Sequence, residues 1–291
     1  LALLTALRHT RLVAVTTVAG NVGVDHTTRN ALRVLELCRA VVPVHRGADR
    51  PRRADPLDAA HVHGTDGLVG ADLPAPTTRP DPAPAARALV EATRRVDGLH
   101  VVAIGPLTNL AAAVDLDPDW PRRVAGVTIM GGAVRGGNAT AAAEFNILAD
   151  PEAAEVVFDA TPLTMIGLDV TSRVRVTDAD LEALAARPTS TATFAAAVLR
   201  SYLARYHEQA EPSAALHDPC AVLAVTRPDL FDLRPRSVAI ETAGVHTRGA
   251  TVVDERPVAG AGRHLVGYGC DAPAVLELVL DALADPEPSP D

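Results

Sequence analysis

The chain has 291 residues and a net charge of −9 at neutral pH, with 48% hydrophobic and only 3% aromatic residues. This acidic charge disfavours a nucleic-acid-binding surface, because contacts with phosphates need clustered basic residues and the sequence contains no basic stripe. Its basic residues other than histidine are all arginine, which excludes P-loop phosphate binding, Schiff-base chemistry and lysine general bases.

The cysteines and the apolar runs indicate the cellular environment. Cys38, Cys220 and Cys270 are odd in number and form no C-x-x-C pair, so neither a disulfide framework nor a thiolate metal site is indicated. No apolar run is long enough to cross a bilayer. A cytoplasmic protein is therefore predicted, and a signal peptide upstream of Leu1 stays open as an alternative.

Strand and helix patterns alternate along the chain. Residues 1–8 are predicted to be helical, residues 12–18 form a β-branched run typical of a buried parallel strand, and residues 27–40 are again helical. Further strands are predicted over residues 41–44, 100–105, 124–130, 163–170 and 237–244. Further helices are predicted over residues 84–96, 108–116, 150–160, 178–187, 191–210 and 218–225.

This alternation predicts a single-domain α/β fold, with a mostly parallel open sheet, helices on both faces and a Rossmann-like core. The predicted domain covers residues 1–283, because no linker and no internal repeat divides them. The tail over residues 284–291 is acidic and rich in proline, offers little to bury and is expected to be disordered.

Polar residues follow the predicted strands at the places where the strands end. They are Asn21, Ile104 with its following Gly105 and Thr108, the glycine-rich segment 130–138, Asp169 and Thr171. In an open parallel sheet the carboxyl ends of the strands meet at one edge, and ligands bind there. The convergence of these residues therefore predicts a pocket at that edge.

The segment AEFN, which contains Glu144 and Asn146, admits two interpretations. In an extended conformation these two side chains would point to one face, so that a carboxylate and an amide would face the pocket together. The alternative is a loop that enters a helix at Asp150, because aspartate followed by proline is typical of an N-cap and a first helical position. Capping explains Asp150, whereas for Glu144 and Asn146 the pocket is favoured.

Three further features have an ordinary structural explanation. Asp218 also precedes a proline, and from that dipeptide alone N-capping is the better interpretation. His61 and His63 lie among glycines, where a mobile loop with exposed histidines is favoured over metal binding. Tyr202 and Tyr206 lie one helical turn apart, a spacing that side-chain packing explains without any ligand.

Six motifs occur in one order along nearly the whole chain: VAGN, HGTDGL, IGPLTNLA, MGGAVRGGNATAAAEFNILADPEAAEVVF, GLDVT and HDPC. In this order and spacing they resemble the inosine-uridine preferring nucleoside hydrolases, and the block from Met130 to Phe158 is the most specific part. The resemblance implies the nucleoside hydrolase fold and an enzyme that hydrolyses the N-glycosidic bond of ribonucleosides to ribose and free base. It also implies Ca²⁺ as cofactor and a homo-oligomer, either a dimer or a tetramer.

The matching positions imply a role for each candidate residue. The Asp218 carboxylate and the Ile104 carbonyl match two calcium ligands, which are oxygen atoms as this hard cation prefers. His217 matches a residue near the leaving base and, together with Asn146, is assigned to catalysis. The remaining matches are substrate contacts: Asn21 and Asn146 with ribose hydroxyls, Asn138 and Glu144 with the 5′-hydroxyl, Met130 under the sugar, His63 in a mobile loop, and Tyr202 and Tyr206 on the helix that contacts the base.

The implied reaction uses a calcium-bound water and passes through a transition state in which the ribose resembles an oxocarbenium ion. In the family, a D-x-D-P-G-x-D-D segment precedes the helix matched by residues 1–8 and supplies further calcium ligands, a ribose contact and the base for the water. The sequence begins after that position, so a truncated and inactive chain is expected. The alternative is a nucleoside-binding homologue without catalysis, and the sequence upstream of Leu1 would discriminate between the two.

Overall fold

The computed structural model describes residues 1–57, 59, 64–256 and 262–286. Two predictions lie outside this part of the chain: the site residue His63, and the tail beyond residue 286. The described helices are α1 Ala2–His9, α2 Val24–Leu37, α3 Ala85–Arg95, α4 Thr108–Leu116, α5 Trp120–Arg123, α6 Phe145–Ala149, α7 Pro151–Ala160, α8 Leu168–Thr171, α9 Asp178–Ala185, α10 Ser190–Glu208, α11 Asp218–Thr226 and α12 Ala272–Ala284. None of them is both long and apolar enough to cross a membrane.

The described strands form one five-stranded sheet and three two-stranded pieces. They are β1 Val15–Thr17, β2 Val44–Arg46, β3 His100–Ala103, β4 Gly126–Met130, β5 Thr164–Ile166, β6 Arg175–Val176, β7 Ala214–Ala215, β8 Phe231–Arg236, β9 Val238–Ile240, β10 Thr251–Val253 and β11 His264–Cys270. The sheet order is β3-β4-β5-β11-β8, and only β8 runs antiparallel to its neighbour. β1 and β2 form a parallel pair, and β9 and β10 form an antiparallel hairpin.

Helices cover both faces of the five-stranded sheet. Successive side chains of a strand point to opposite faces, and Met165 and Ile166 of β5 accordingly belong to two different hydrophobic clusters. The Ile166 cluster includes buried residues of α1, α10 and α12, and the Met165 cluster includes buried residues of α3, α4 and α7. The predicted fold class, a mostly parallel α/β sheet between helices, is therefore confirmed.

Several predicted boundaries differ from the structure. The strand predicted over residues 163–170 ends at Ile166, and Asp169 and Thr171 lie in α8 because the chain turns into a short helix after Gly167. The strand predicted over residues 237–244 shortens to β9 and pairs with β10 outside the five-stranded sheet. The sequence patterns did not predict β8, β11 or α12. In the two strands, β8 and β11, prolines, arginines and glycines interrupt the apolar pattern.

Local capping chemistry starts two of the helices next to the sheet. The Asp150 carboxylate accepts a hydrogen bond from the Ala153 N–H at 3.1 Å, and Pro151 occupies the first position of α7, so the N-cap prediction is confirmed. Thr177 and Asp180 form a reciprocal capping box at α9. These contacts fix where the helices begin beyond the strand ends.

Candidate active site

The predicted pocket lies where β3 and β4 end. Met130 is the last residue of β4 and is buried, and Ile104 directly follows β3. Helix α11, which begins at Asp218, packs against both strands. The turn that precedes Asn21 lies against the loop after β3, because a Cβ atom at Gly20 would be 3.1 Å from a proline ring carbon in that loop. The sequence-predicted polar loops therefore adjoin one another.

Glu144 caps a helix, so the extended interpretation of AEFN is wrong. Its backbone is extended, but helix α6 begins at the next residue, and the carboxylate accepts three backbone N–H groups. The donors are Asn146 N at 2.9 Å, Gly132 N at 2.9 Å and Ile147 N at 3.2 Å. Glu144 and Asn146 are nevertheless both buried beside the end of β4, because the capped turn places them there.

The electrostatic environment of Glu144 is unusual for a carboxylate. Burial raises the pKa of its carboxyl group to about 7, the three N–H donors oppose this rise, and the negative charge of Asp218 adds to it. Near neutral pH the group is therefore partly protonated. It can accept a further hydrogen bond or donate one.

Two asparagines border Glu144. The Asn146 side chain donates to the Met130 carbonyl oxygen at 3.0 Å, and no described hydrogen bond ends on its own Oδ1 atom. The Asn138 Oδ1 atom accepts from the Phe145 N–H at 3.0 Å, while the residue itself is exposed. Each asparagine thus uses one end of its amide to hold a neighbouring backbone segment.

Asp218 is not an N-cap, because α11 begins with this residue and His217 occupies the cap position, without a side-chain hydrogen bond that caps the helix. Burial raises the pKa of the Asp218 carboxyl group to about 6. None of the described side-chain hydrogen bonds ends on this carboxylate. A desolvated carboxylate without hydrogen-bond donors is suited to a cation.

His217 has a buried partner. Its Nδ1 atom lies 2.7 Å from the Thr171 hydroxyl oxygen, and Thr171 is fully buried in α8. This contact fixes the orientation of the imidazole ring. The sequence indicates Thr171 only as a polar residue near a strand end, and its pairing with His217 spans 46 residues.

Tyr202 and Tyr206 form a pair on α10. Their hydroxyl oxygens are 3.2 Å apart, and their rings meet edge to face with centroids 5.2 Å apart. Burial raises the pKa of Tyr202 far above its ordinary value, and the charges of Tyr206 and Asp218 raise it further. The two tyrosines therefore pack as a linked pair on α10.

The other residues predicted for the site are Asn21 and the expected metal ligands. Asn21 is exposed, and its backbone carbonyl accepts from the Ala59 N–H at 2.9 Å. Among the described residues, no group of three or more His, Cys, Asp or Glu side chains could hold a metal ion. The assignment of Asp218 and the Ile104 carbonyl as calcium ligands stays a prediction.

The comparison with known proteins decides the family. The sequence model of the inosine-uridine preferring nucleoside hydrolases matches residues 1–277. The chain belongs to the inosine-uridine preferring nucleoside hydrolase family. Its relatives include the pyrimidine-specific ribonucleoside hydrolase RihA of Shewanella sp. (strain MR-7), 40% identical over 98% of this chain and 92% of that protein. The RihA of Enterobacter sp. (strain 638) is 42% identical over 86% of this chain and 81% of that protein.

Solved structures of nucleoside hydrolases share the fold. The purine-preferring ribonucleoside hydrolase from Gardnerella vaginalis superposes with a TM-score of 0.93 at 28% identity, covering 98% of this chain and 94% of that chain. The plant nucleoside hydrolase PpNRh1 superposes with a TM-score of 0.90 at 31% identity, over 98% and 94% of the two chains. Nucleoside hydrolases of different named base preference thus share this architecture.

Proposed function

We propose that this nucleoside hydrolase cleaves the N-glycosidic bond of ribonucleosides to give ribose and a free base, with Ca²⁺ as cofactor. The observation that carries the proposal is the grouping of Glu144, Asn146 and Asp218 at the carboxyl edge of the sheet. The match of the family along residues 1–277 supports the same reaction.

The sugar is held by the β4 end and α6. Cleavage of the bond between C1′ and the base nitrogen builds positive charge on the ribose, so acceptors fixed around the sugar stabilise the transition state more than the ground state. The free Oδ1 atom of Asn146 accepts from a ribose hydroxyl. Glu144 and Asn138 contact the 5′-hydroxyl, Asn21 contacts the ribose from the opposite loop, and Met130 lies beneath the ring.

The leaving base needs a proton or a hydrogen bond as the glycosidic bond breaks. His217 supplies it, because the contact of its Nδ1 atom with the Thr171 hydroxyl at 2.7 Å orients the ring. Tyr202 and Tyr206 contact the base from α10, with their linked hydroxyls acting as a pair. The two tyrosines therefore influence which base is accepted, while His217 acts on its departure.

The donors present fit a calcium ion in chemical type, since Ca²⁺ prefers carboxylate and carbonyl oxygens. Asp218 and the Ile104 carbonyl would hold it, and the desolvated state of Asp218 supports that assignment. When bound, the ion would lower the pKa of a water molecule beside the sugar. Calcium usually takes about six to eight oxygen ligands, so two donors bind it weakly and further carboxylates must complete the site.

Pyrimidine ribonucleosides are the proposed substrates. The supporting observation is that relatives about 40% identical over nearly the whole chain are named pyrimidine-specific. The purine-preferring neighbour from Gardnerella vaginalis is 28% identical. The preference is measured as the ratio of kcat/KM for uridine to that for inosine.

The deciding experiment compares two proteins, the 291-residue chain and the same chain extended upstream of Leu1 by a D-x-D-P-G-x-D-D segment. Ribose release from uridine, cytidine and inosine is measured with calcium and with a calcium chelator. We expect the extended chain to hydrolyse uridine and cytidine in a calcium-dependent way and the shorter chain to be far slower. Equal rates would show that the upstream carboxylates are not needed.

A catalytically incomplete nucleoside-binding protein is the second candidate, favoured by the small number of metal donors among the described residues. It predicts that the extended chain binds uridine in a calorimetric titration but releases no ribose. An Asn146→Ala variant of the extended chain then separates the two candidates. In the hydrolase it lowers kcat/KM, and in the binding protein it lowers only affinity.

A further inference from the structure

The turn after β4 is held by side chains that come from distant parts of the sequence. Its four consecutive backbone N–H groups donate to four partners: Gly131 to the Ile166 carbonyl at 3.3 Å, Gly132 to Glu144 at 2.9 Å, Ala133 to the Thr251 hydroxyl at 2.9 Å and Val134 to Asp169 at 2.6 Å. Only the first is a contact between backbones. The position of this turn is therefore set by three side chains, one of which is Glu144 itself.

Thr251 holds this turn through one hydroxyl group. The hydroxyl accepts from the Ala133 N–H and donates to the Ala133 carbonyl at 2.6 Å, across 118 residues of sequence. The Thr251 side chain also packs against Gly132, where a Cβ atom would lie 2.7 Å from the threonine methyl carbon. Gly132 has a φ of +73°, a conformation that favours glycine. Thr251 thus fixes the peptide next to the N–H that binds Glu144.

The same hairpin also contacts the helix that Glu144 caps. A Cβ atom at Gly249, just before β10, would lie 2.8 Å from the Leu148 Cα atom in α6. The Nη2 atom of Arg248 donates to both carboxylate oxygens of Glu152 in α7, at 2.8 and 2.9 Å. The hairpin β9–β10 therefore braces both backbone segments that donate hydrogen bonds to Glu144.

We infer that the hairpin β9–β10 positions Glu144 for the sugar and that Thr251 is the positioning residue through which it acts. The inference rests on the proposed function, in which Glu144 contacts the 5′-hydroxyl of the ribose. Removal of the Thr251 hydroxyl leaves the N–H and the carbonyl of Ala133 unpaired in a buried place. The turn then moves to find new partners, and the Gly132 N–H moves away from Glu144.

Three variants test this inference in whichever of the two chains releases ribose. Thr251→Val keeps the shape and removes the hydroxyl, whereas Thr251→Ser keeps the hydroxyl. Thr191→Val is the matched control. Thr191 lies at the start of α10, is also buried, and donates from its hydroxyl to the Ala284 carbonyl at 3.1 Å. The first variant should affect the site, and the other two should not.

The readout is the ratio of kcat/KM for uridine to kcat/KM for 5′-deoxyuridine, because this ratio does not change when part of the enzyme is unfolded. We expect Thr251→Val to lose on the order of tenfold of the preference for uridine, chiefly through KM, because misplacement of a positioned group has effects of this order. Thr251→Ser and Thr191→Val should keep the wild-type ratio. If the wild type prefers uridine and Thr251→Val has the same ratio, the inference is overturned and the proposed function stands.

A wild type that treats uridine and 5′-deoxyuridine alike overturns the role given to Glu144, and the inference with it. Hydrogen exchange of the folded protein without substrate is the second measurement, and it needs no catalysis. The amides of Gly132 and Ala133 should exchange faster in Thr251→Val than in wild type or Thr191→Val. Unchanged exchange at these amides shows that Thr251 does not hold the turn.

Discussion

Glu144 and Asp218 are two desolvated carboxylates near the same edge of the sheet, and they are treated in opposite ways. Glu144 accepts three backbone N–H groups, whereas no described side-chain hydrogen bond ends on Asp218. Burial raises the pKa of both, to about 7 and about 6. Backbone N–H groups therefore stabilise the Glu144 carboxylate, whereas no described hydrogen bond stabilises that of Asp218.

The difference indicates which carboxylate the fold itself uses. A carboxylate with three N–H donors ties together the turn after β4 and the start of α6, so the fold depends on Glu144. A desolvated carboxylate without donors destabilises the fold until a cation compensates it. Asp218 is therefore expected to contribute to function at the expense of stability, and Glu144 to both.

The largest expected effect belongs to Asp218. Asp218→Asn should lower kcat/KM roughly 100- to 1000-fold and abolish the calcium dependence of ribose release, because a ligand of the proposed ion is lost. Its free energy of unfolding without calcium should stay unchanged or rise, since a desolvated charge is removed. Urea denaturation and a calorimetric calcium titration measure both. A clear loss of stability would mean that Asp218 is structural, as a capping residue would be.

Glu144→Gln should lower both activity and stability. A neutral amide accepts hydrogen bonds through one oxygen only, so at least one buried N–H is left unpaired at a cost of about 1–3 kcal/mol, and kcat/KM should fall about tenfold. Asp150→Asn is the matched control, because Asp150 is also buried and accepts from Ala153 N, Arg52 N and the Thr108 hydroxyl. The control should lose stability while its kcat/KM stays at the wild-type level.

His264 tests whether an unpaired buried group must be functional. Its Nδ1 atom has no partner, its ring packs on Phe158 with centroids 5.0 Å apart, and burial lowers its pKa to about 4. Above the ordinary pKa of 6.5 the ring is neutral in both folded and unfolded states, so it makes no pH-dependent contribution. As the pH falls from 6.5 to 4, only the unfolded state takes up the proton, and stability decreases.

The corresponding measurement is urea denaturation between pH 4 and pH 7. The contribution of His264 to the loss of stability across this window is at most about 3 kcal/mol. His264→Phe should remove that contribution and leave kcat/KM at pH 7 unchanged. A large loss of activity in this variant would show that His264, like Asp218, lacks described hydrogen-bond partners because it has a functional role.

The tyrosine pair carries the smallest expected effect. Tyr202→Phe and Tyr206→Phe each remove one of two hydroxyls that lie 3.2 Å apart. We expect a change of about two- to fivefold in the ratio of kcat/KM for uridine to that for inosine, since a single hydroxyl contact contributes modestly. An unchanged ratio in both variants returns the pair to a packing role.

The approach of the polar loops at one edge of the sheet could be predicted, because each polar residue follows a strand pattern and parallel strands end at one edge. Local geometry was less accessible. The AEFN segment is four residues long, and both an extended strand and a helix N-cap satisfy its pattern, so only the partners of Glu144 in space select the cap. The N-cap role predicted for Asp218 fails because a proline tolerates either of two helix starts one residue apart.

The amino-acid sequence by itself determined the α/β alternation, the two-sided burial of the sheet and the family. Hydrophobic periodicity and the order of motifs can be read along the chain without knowledge of its tertiary contacts. The tertiary structure alone decided how the carboxylates are supported. The contact of Thr251 with Ala133 spans 118 residues and that of Thr171 with His217 spans 46, and a threonine far from its partner carries no pattern of its own. Such contacts arise only when the packing of strands and helices has brought distant hydroxyls and unpaired backbone groups within hydrogen-bond distance.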